Sequence, residues 1–301
     1  MSQDQRVNLL EFGRKYKMGK AIGFDIGGTS IKGAIVDKNG NIENRVEFPT
    51  PKDPQEVVLS ICKALKDFPK LNIGVSCAGT VDVQEKRITG LGGNIENWKG
   101  FPIGKAFEEK GTTLQVVEND ANCALKAELE VGVAKENQSV LMVTIGTGIG
   151  GAFSLDGEKI FHGANYAAME IGHFILHSNG KKCICGQEGC AELYLSARAF
   201  HQGMKRDGYT DTDQYLYLED NIFVEDYMNS MADYIISLQN IINPSLIVFG
   251  GGFVEYSQAF LPELKIRIKE RSNQASKTDI KKARFKNDAG LIGAAFLAME
   301  E

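Results

Sequence analysis

Short apolar segments alternate with glycine turns along the first quarter of the chain. The pattern predicts strands over residues 20–24, 30–36 and 41–48, and Asp37–Gly40 between the last two is a hairpin signal. Helical spacing of apolar residues then predicts a helix over 54–67, followed by a buried strand over 72–76. Hairpin-linked strands followed by a helix and a strand indicate a layered α/β fold.

The opening pattern occurs a second time in the middle of the chain. Residues 140–145 form an apolar strand, 146–151 a glycine turn, and 152–155 the returning strand. Such repetition of one supersecondary unit predicts two related domains that face each other.

The C-terminal third is predicted to be mainly helical. Helices are expected over 225–242, 261–271 and 289–299, and a buried strand over 246–249 runs into Gly250–Gly252. A chain of 301 residues suits two domains better than one.

Charge and composition narrow the classes of function. The net charge of −5 makes nucleic acid a poor candidate partner. No apolar run approaches the roughly 20 residues of a membrane span, and no signal-peptide pattern precedes Met18, so we expect a cytoplasmic protein.

Two glycine turns with hydroxyl residues are candidate phosphate sites, because glycine lets backbone N–H groups approach phosphate oxygens. Each alone could be a plain hairpin turn. Together they predict a nucleotide clamped between two domains, with Asp25 as a ligand of Mg²⁺ and Gly250–Gly252 near the base or ribose. The candidate ATP-binding residues are Asp25, Gly27, Gly28, Thr29, Lys32, Gly146, Thr147, Gly148, Gly150, Gly151, Gly251 and Gly252.

Asp120 lies where the apolar strand 114–117 passes through Glu118–Asn122 into a helix over 121–131. An Asp at such a junction can simply be a helix N-cap. Alternatively it is a general base for a sugar hydroxyl, a role in which positioning matters more than basicity.

Cys183, Cys185 and Cys190 are clustered, and His173 lies just upstream. Three thiolates and one imidazole can form a closed tetrahedral Zn²⁺ site, so we predict structural zinc there rather than a disulfide. The other cysteines are expected to be buried thiols, and the other histidines surface or core residues. They are Cys62, Cys77, Cys123, His162, His177 and His201.

These motifs, in this order, resemble those of the ROK family of sugar kinases and repressors, and the likeness extends from Lys20 to Met299. The resemblance implies the actin/hexokinase-like (ribonuclease H-like) ATPase fold, with two α/β domains around a cleft. We expect a smaller domain over 19–122, to which helix 289–300 returns, a larger domain with the zinc motif over 123–288, and a tail or short helix over 1–18.

The resemblance also implies roles for individual residues. Asp120 would be the catalytic base, and His173 would bind zinc with one ring nitrogen and the sugar with the other. The sugar-binding residues would be Gly79, Asn94, Asn119, Glu170, His173 and Glu192. Met169 stands where many members have glycine. A substituted hexose is therefore a candidate substrate as well as glucose.

The expected activity is phosphorylation of the 6-hydroxyl of a hexose by Mg·ATP, with glucose as the first candidate and N-acetylmannosamine, allose or a β-glucoside as alternatives. A homodimer is implied by analogy alone. A sugar-responsive repressor needs a DNA-binding domain, for which the 24 residues before Asp25 are too few. A sugar-binding protein without catalysis is the second alternative, and the presence of Asp120 and both glycine turns argues against it.

Overall fold

The computed structural model of the chain describes residues 19–90, 92, 94–209, 221–272 and 277–301, so the expected tail over 1–18 lies outside the described residues. The strands in this part are β1 Lys20–Ile26, β2 Ser30–Asp37, β3 Ile42–Pro49, β4 Ile73–Cys77, β5 Val81–Asp82, β6 Arg87–Ile88, β7 Val116–Asn119, β8 Val140–Ile145, β9 Ile149–Ser154, β10 Leu246–Gly250 and β11 Asp279–Lys282. The α-helices are α1 Pro54–Ala64, α2 Ile103–Glu108, α3 Asp120–Val131, α4 Glu192–Leu195, α5 Ala197–Arg206, α6 Ile222–Ile242, α7 Gly252–Tyr256, α8 Phe260–Arg271 and α9 Ala289–Glu300. Short 3₁₀ turns occupy Leu65–Asp67, Ile171–His173 and Lys286–Asp288.

Two mixed sheets carry the fold and share one local plan. The first has the order β3-β2-β1-β4-β7, and the second has the order β11-β10-β8-β9. In the first, β1 pairs antiparallel with β2 and parallel with β4. In the second, β8 pairs antiparallel with β9 and parallel with β10. The repeated hairpin seen in the sequence is therefore repeated in the structure.

The chain divides into two compact units. The first unit contains the described residues up to Val131, with Ala164–Ala167 and Asp288–Glu301, and the second contains Gly132–Gly163 and Ala168–Asn287. The division therefore falls after α3 and not after residue 122, because the buried face of α3 packs on the C-terminal helix α9 within the first unit. Each unit has its own apolar core.

Local signals explain where the main helices begin and end. The Asp53 side chain accepts hydrogen bonds from the N–H groups of Gln55 and Glu56, so it caps α1, with Pro54 in the first turn. Asn221 caps α6 in the same way, and Asn243 ends that helix in the left-handed conformation at φ 48°. These residues therefore determine the helix ends at the positions where they occur in the sequence.

Helix α9 packs on β1, β4 and α3 at backbone contact distance. A Cβ at Gly23 would lie 1.9 Å from the Leu291 carbonyl oxygen, and one at Gly74 would lie 2.0 Å from that of Ala294. A Cβ at Gly293 would lie 1.8 Å from the carbonyl oxygen of Cys123 in α3. Only glycine fits at these contacts, so the position of α9 fixes the strands and the helix that it touches.

A buried ion-pair group also joins α3 to α9. Lys126 is 2% exposed, and its Nζ lies 2.8 Å from Glu130 Oε1 and 2.6 Å from Glu300 Oε1. Burial lowers the pKa of Lys126, but the two carboxylates outweigh this effect and the net pKa is raised. The lysine is therefore held charged between the two helices.

None of the described helices is both long and apolar enough to cross a bilayer.

Replacing Gly293 by alanine should lower the free energy of unfolding by about 1–3 kcal/mol, because the new methyl group would collide with the backbone of α3. This loss of stability is expected even though alanine has a higher helix propensity than glycine. Urea unfolding of Gly293→Ala would measure the change. Gly19→Ala is the control, since a Cβ there meets nothing within 4 Å. A Gly293→Ala protein as stable as the wild type would contradict the tight packing of α9.

Candidate active site and metal centre

The glycine turn of the first unit connects β1 to β2 and is braced from neighbouring loops. The Gly27 N–H donates to the Ser30 carbonyl oxygen at 3.1 Å. Thr50 Oγ1 donates to the Gly27 carbonyl oxygen at 2.6 Å, and Asn94 Nδ2 donates to that of Gly28 at 3.4 Å. The predicted sugar residue Asn94 therefore lies beside the predicted phosphate turn.

Asp25 lies inside β1 rather than in the turn where the sequence placed it, opposite Lys32 of β2 and Ser76 of β4. Ser76 is fully buried, and its Oγ donates to Asp25 Oδ1 at 2.7 Å. Burial raises the pKa of the Asp25 carboxyl, while the Ser76 hydrogen bond and the charge of Lys32 oppose the rise. A Cβ at Gly290 of α9 would lie 2.6 Å from Oδ1, so α9 closes the other side of this carboxylate.

The junction of β7 and α3 is organised by amide and carboxylate side chains. Asn119 Oδ1 accepts from the N–H groups of Ala121 and Asn122 at 2.9 and 3.2 Å. Buried Glu118 in turn accepts from the Asn119 N–H and from Asn122 Nδ2 at 2.7 and 2.9 Å. Asn119 is therefore the cap of α3, and the alternative that Asp120 serves as a plain N-cap is wrong. Asp120 is the first residue of the helix and is exposed.

The loop that contains Gly79 is fixed against the same junction. Asn119 Nδ2 donates to the Gly79 carbonyl oxygen at 3.0 Å, and Trp98 Nε1 donates to that of Ala78 at 3.1 Å. Gly79 has φ 94°, which favours glycine. The loop that contains Gly79 is thus hydrogen-bonded both to Asn119, at the end of β7, and to Trp98, four residues after Asn94.

The glycine turn of the second unit is shorter than the sequence suggested. It spans residues 146–148, where the Gly146 N–H donates to the Gly148 carbonyl oxygen at 3.0 Å. Gly150 and Gly151 belong to β9, opposite Thr144 and Val143. The prediction of a turn over 146–151 is wrong in its second half, because the small residues also allow close pairing in a strand.

A cavity of about 600 Å³ in the second unit adjoins this turn. It is lined by Gly146, Thr147, Ala197, Arg198, His201, Gln202, Lys205, Gly252, Phe253 and Tyr256. Two glycine segments that the sequence assigned to nucleotide binding therefore border one cavity. The side chains from α5 were missed by the sequence reasoning, although the polar residues at 198, 201, 202 and 205 have helical spacing.

Glu170, His173 and Glu192 come together elsewhere in the second unit. His173 Nε2 lies 3.9 Å from Glu170 Oε2, and His173 Nδ1 lies 3.8 Å from Glu192 Oε1. Burial raises the pKa of Glu170, while His173 opposes the rise and Glu192 adds to it. A Cβ at Gly148 would lie 2.6 Å from Glu192 Oε2, which connects this group to the glycine turn.

Met169 adopts the backbone conformation expected of the glycine that it replaces. Its φ is 63°, in the left-handed region that favours glycine. Its side chain is partly buried and packs on the apolar core of the second unit. Packing on this core therefore accounts for the position of the Met169 side chain.

The four predicted zinc ligands converge. The donor atoms of His173, Cys183, Cys185 and Cys190 all lie within 4.8 Å of one another. Cys185 Sγ is 3.6 Å from Cys190 Sγ, and Cys183 Sγ is 3.6 Å from His173 Nδ1. Ligands about 2.3 Å from a tetrahedral zinc ion would be about 3.8 Å apart, so the donor set fits this metal. All three cysteines are free thiols rather than disulfides.

The chain is similar to known sugar kinases over most of its length. The model of the ROK family matches residues 21–301. A glucokinase of Streptomyces coelicolor is 30% identical over 94% of this chain and 98% of its own length. An N-acetyl-D-glucosamine kinase of Vibrio parahaemolyticus is 30% identical over 91% of this chain and 98% of its own length. The crystal structure of a ROK family glucokinase from Streptomyces griseus, in complex with glucose and AMPPNP, superposes with a TM-score of 0.78 at 27% identity, covering 94% of this chain and 100% of that one.

The fold is thus that of the actin/hexokinase-like sugar kinases, as predicted. The chain belongs to the ROK family, and the resemblance noted in the sequence is confirmed.

Proposed function

We propose that this chain is an ATP-dependent hexose kinase that phosphorylates the 6-hydroxyl, with glucose as the first candidate substrate. The observation that carries the proposal is the exposed carboxylate of Asp120, at a helix start whose capping is already done by Asn119. The Ala121 N–H donates to Asp120 Oδ1 at 2.8 Å, which helps to orient this exposed carboxylate, and a carboxylate oriented at a helix start can accept the proton of a substrate hydroxyl.

In the proposed reaction, the sugar O6 attacks the γ-phosphorus of ATP, the bond from that phosphorus to the β,γ-bridging oxygen breaks, and ADP leaves. Asp120 orients the hydroxyl and accepts its proton during the transfer. The residues proposed to position the sugar are Gly79, Asn94, Asn119, Glu170, His173 and Glu192.

The nucleotide is proposed to bind the glycine segments. The residues proposed for this role are Gly27, Gly28, Thr29, Lys32, Gly146, Thr147, Gly148, Gly150, Gly151, Gly251 and Gly252. Asp25 would hold Mg²⁺, directly or through water, which neutralises charge on the transferring phosphates. Because Ser76 and Gly290 enclose its carboxylate, Asp25 has little freedom to move.

We propose structural zinc at His173, Cys183, Cys185 and Cys190. Nδ1 is the ring nitrogen of His173 that faces Cys183, which leaves Nε2, near Glu170, for a sugar hydroxyl. The metal would then fix the ring orientation of a substrate-binding residue rather than take part in the reaction. A homodimer stays a prediction.

The substrate is tested by ADP release from Mg·ATP in a coupled assay with glucose, N-acetylmannosamine, N-acetylglucosamine, allose and a β-glucoside. We expect glucose to give the highest kcat/KM. A higher kcat/KM for an N-acetylhexosamine would support the kinase activity but identify a different substrate. ADP release that no sugar stimulates would contradict the proposed activity.

Asp120→Asn should lower kcat by about 10²–10⁴-fold, because the amide cannot accept the proton. The dissociation constant for the sugar should change little, since the amide keeps the shape and an acceptor oxygen. Asp53→Asn is the matched control, a carboxylate at another helix start of the same unit. A kcat for Asp120→Asn within a few-fold of wild type would remove Asp120 from the role of base.

Cys185→Ser should lose zinc, because the closed site would lack one of its thiolates. Elemental analysis should find about one zinc per wild-type chain and well under half of that in the variant. We also expect the melting temperature to fall by roughly 5 °C or more. Cys62→Ser, which changes a thiol in the first unit, should retain the metal. Undiminished zinc in Cys185→Ser would contradict the ligand set.

A further inference from the structure

The 3₁₀ turn Ile171–His173 lies directly on strand β9, at the point where the second glycine turn ends. A Cβ at Gly172 would lie 2.3 Å from the Ile149 carbonyl oxygen, so the two backbones touch with no side chain between them. Ile149 is the first residue of β9 and directly follows the turn over 146–148. The position of the 3₁₀ turn therefore fixes one end of the glycine turn.

The other end of the glycine turn is held by the segment that follows Cys190. The Ala197 N–H, at the start of α5, donates to the Gly146 carbonyl oxygen at 2.9 Å. Fully buried Ser196 caps α5, since its Oγ accepts from the Ala199 N–H at 3.2 Å. The start of α5 is therefore fixed by its own cap, and it fixes Gly146 in turn.

Glu192 lies between the metal cluster and the middle of the turn. Its side chain is only 13% exposed, and Oε1 lies 3.5 Å from Cys183 Sγ and 3.8 Å from His173 Nδ1. Oε2 is close to the turn, because a Cβ at Gly148 would lie 2.6 Å from it. One carboxylate thus approaches the cluster with one oxygen and the glycine turn with the other.

The metal cluster joins the two segments that hold the turn. His173 ends the 3₁₀ turn, and Cys190 lies at the beginning of the second segment. Main-chain contacts already connect them, since the Ala191 N–H donates to the Phe174 carbonyl oxygen at 2.8 Å and Ile175 forms a β-bridge with Cys190. A zinc ion bound by both His173 and Cys190 would add a coordinate link between the same two segments.

We propose that the zinc cluster positions the second glycine turn through Gly172 and Glu192, so that loss of zinc weakens nucleotide binding. This proposal rests on the proposed zinc site and the proposed use of ATP. It gives the metal a second role, in addition to orienting the ring of His173. A turn binds phosphate oxygens tightly only when its N–H groups are already oriented, because ordering a loose turn on binding costs conformational entropy.

The test measures binding of AMPPNP to the full chain by titration calorimetry, with Mg²⁺ present and without sugar. Omitting the sugar keeps the proposed sugar contacts of His173 and Glu192 out of the measurement. The wild-type chain is stripped of zinc with a chelator, dialysed and divided, and zinc is returned to one half. We expect AMPPNP affinity to be about fivefold or more lower in the stripped half and to recover with zinc. Circular dichroism checks that both halves are folded.

Two variants test the contacts themselves while the four metal ligands are kept. Gly172→Ala should weaken AMPPNP binding, because its methyl group would collide with the Ile149 carbonyl oxygen. Glu192→Ala should weaken it as well and retain zinc, because it removes the side chain beside Gly148. Ile184→Ser is the matched control, since Ile184 lies between two of the ligands and is 80% exposed, and it should change neither zinc content nor affinity. These variants decide the question even if the stripped chain unfolds.

Each other outcome overturns a stated part of the proposal. Unchanged AMPPNP affinity in a stripped chain that stays folded would separate zinc from nucleotide binding, while leaving the kinase proposal intact. Wild-type affinity in both Gly172→Ala and Glu192→Ala would exclude these residues as positioning residues. A wild-type chain isolated without zinc would overturn the metal site and this inference with it. A zinc-loaded chain that does not bind AMPPNP would overturn both this inference and the proposed use of ATP.

Discussion

Backbone contact between α9 and its neighbours is the constraint on which the first unit depends. No side chain separates α9 from β1 at Gly23, from β4 at Gly74, or from α3 at Gly293. These same elements carry the residues of the proposed chemistry: β1 carries Asp25, β4 carries Ser76, and α3 begins at Asp120. Since a close-packed interior transmits displacement rather than absorbing it, the last helix of the chain sets the positions of the two carboxylates.

The two units use the same strand, glycine turn and strand with different surroundings. In the first, the carboxylate of Asp25 lies within the strand before the turn, where it accepts a hydrogen bond from Ser76 and is attracted to the charge of Lys32. In the second, Glu192 reaches the turn from α4, and it also contacts His173 and Cys183 of the metal cluster. One supersecondary plan thus forms a glycine turn in both places, while the neighbouring elements place different side chains beside it.

Much of the fold could be predicted from the sequence, because apolar periodicity is a local property. Strand β8 was placed correctly, and β1 and α6 were placed within a few residues of their ends. The predictions are wrong at positions where tertiary contacts determine the local structure. Gly150 and Gly151 pair in a strand because Val143 and Thr144 are opposite them, and Asn119 rather than Asp120 caps α3 because Gly79 and Glu118 hold it there. The short helices α2 and α7 lack the length for a periodic signal. The cavity lined by Arg198 and Lys205 is likewise a tertiary feature, because residues of both α5 and α7 enclose it.

The most direct test of the central claim, that Asp120 presents a hexose 6-hydroxyl to ATP, is the position of phosphate on the product. Phosphorus–proton correlation spectra of the sugar formed from glucose and Mg·ATP should couple the new phosphate to the two protons on carbon 6. Phosphate coupled to the anomeric proton, or inorganic phosphate released without any sugar ester, would contradict the claim.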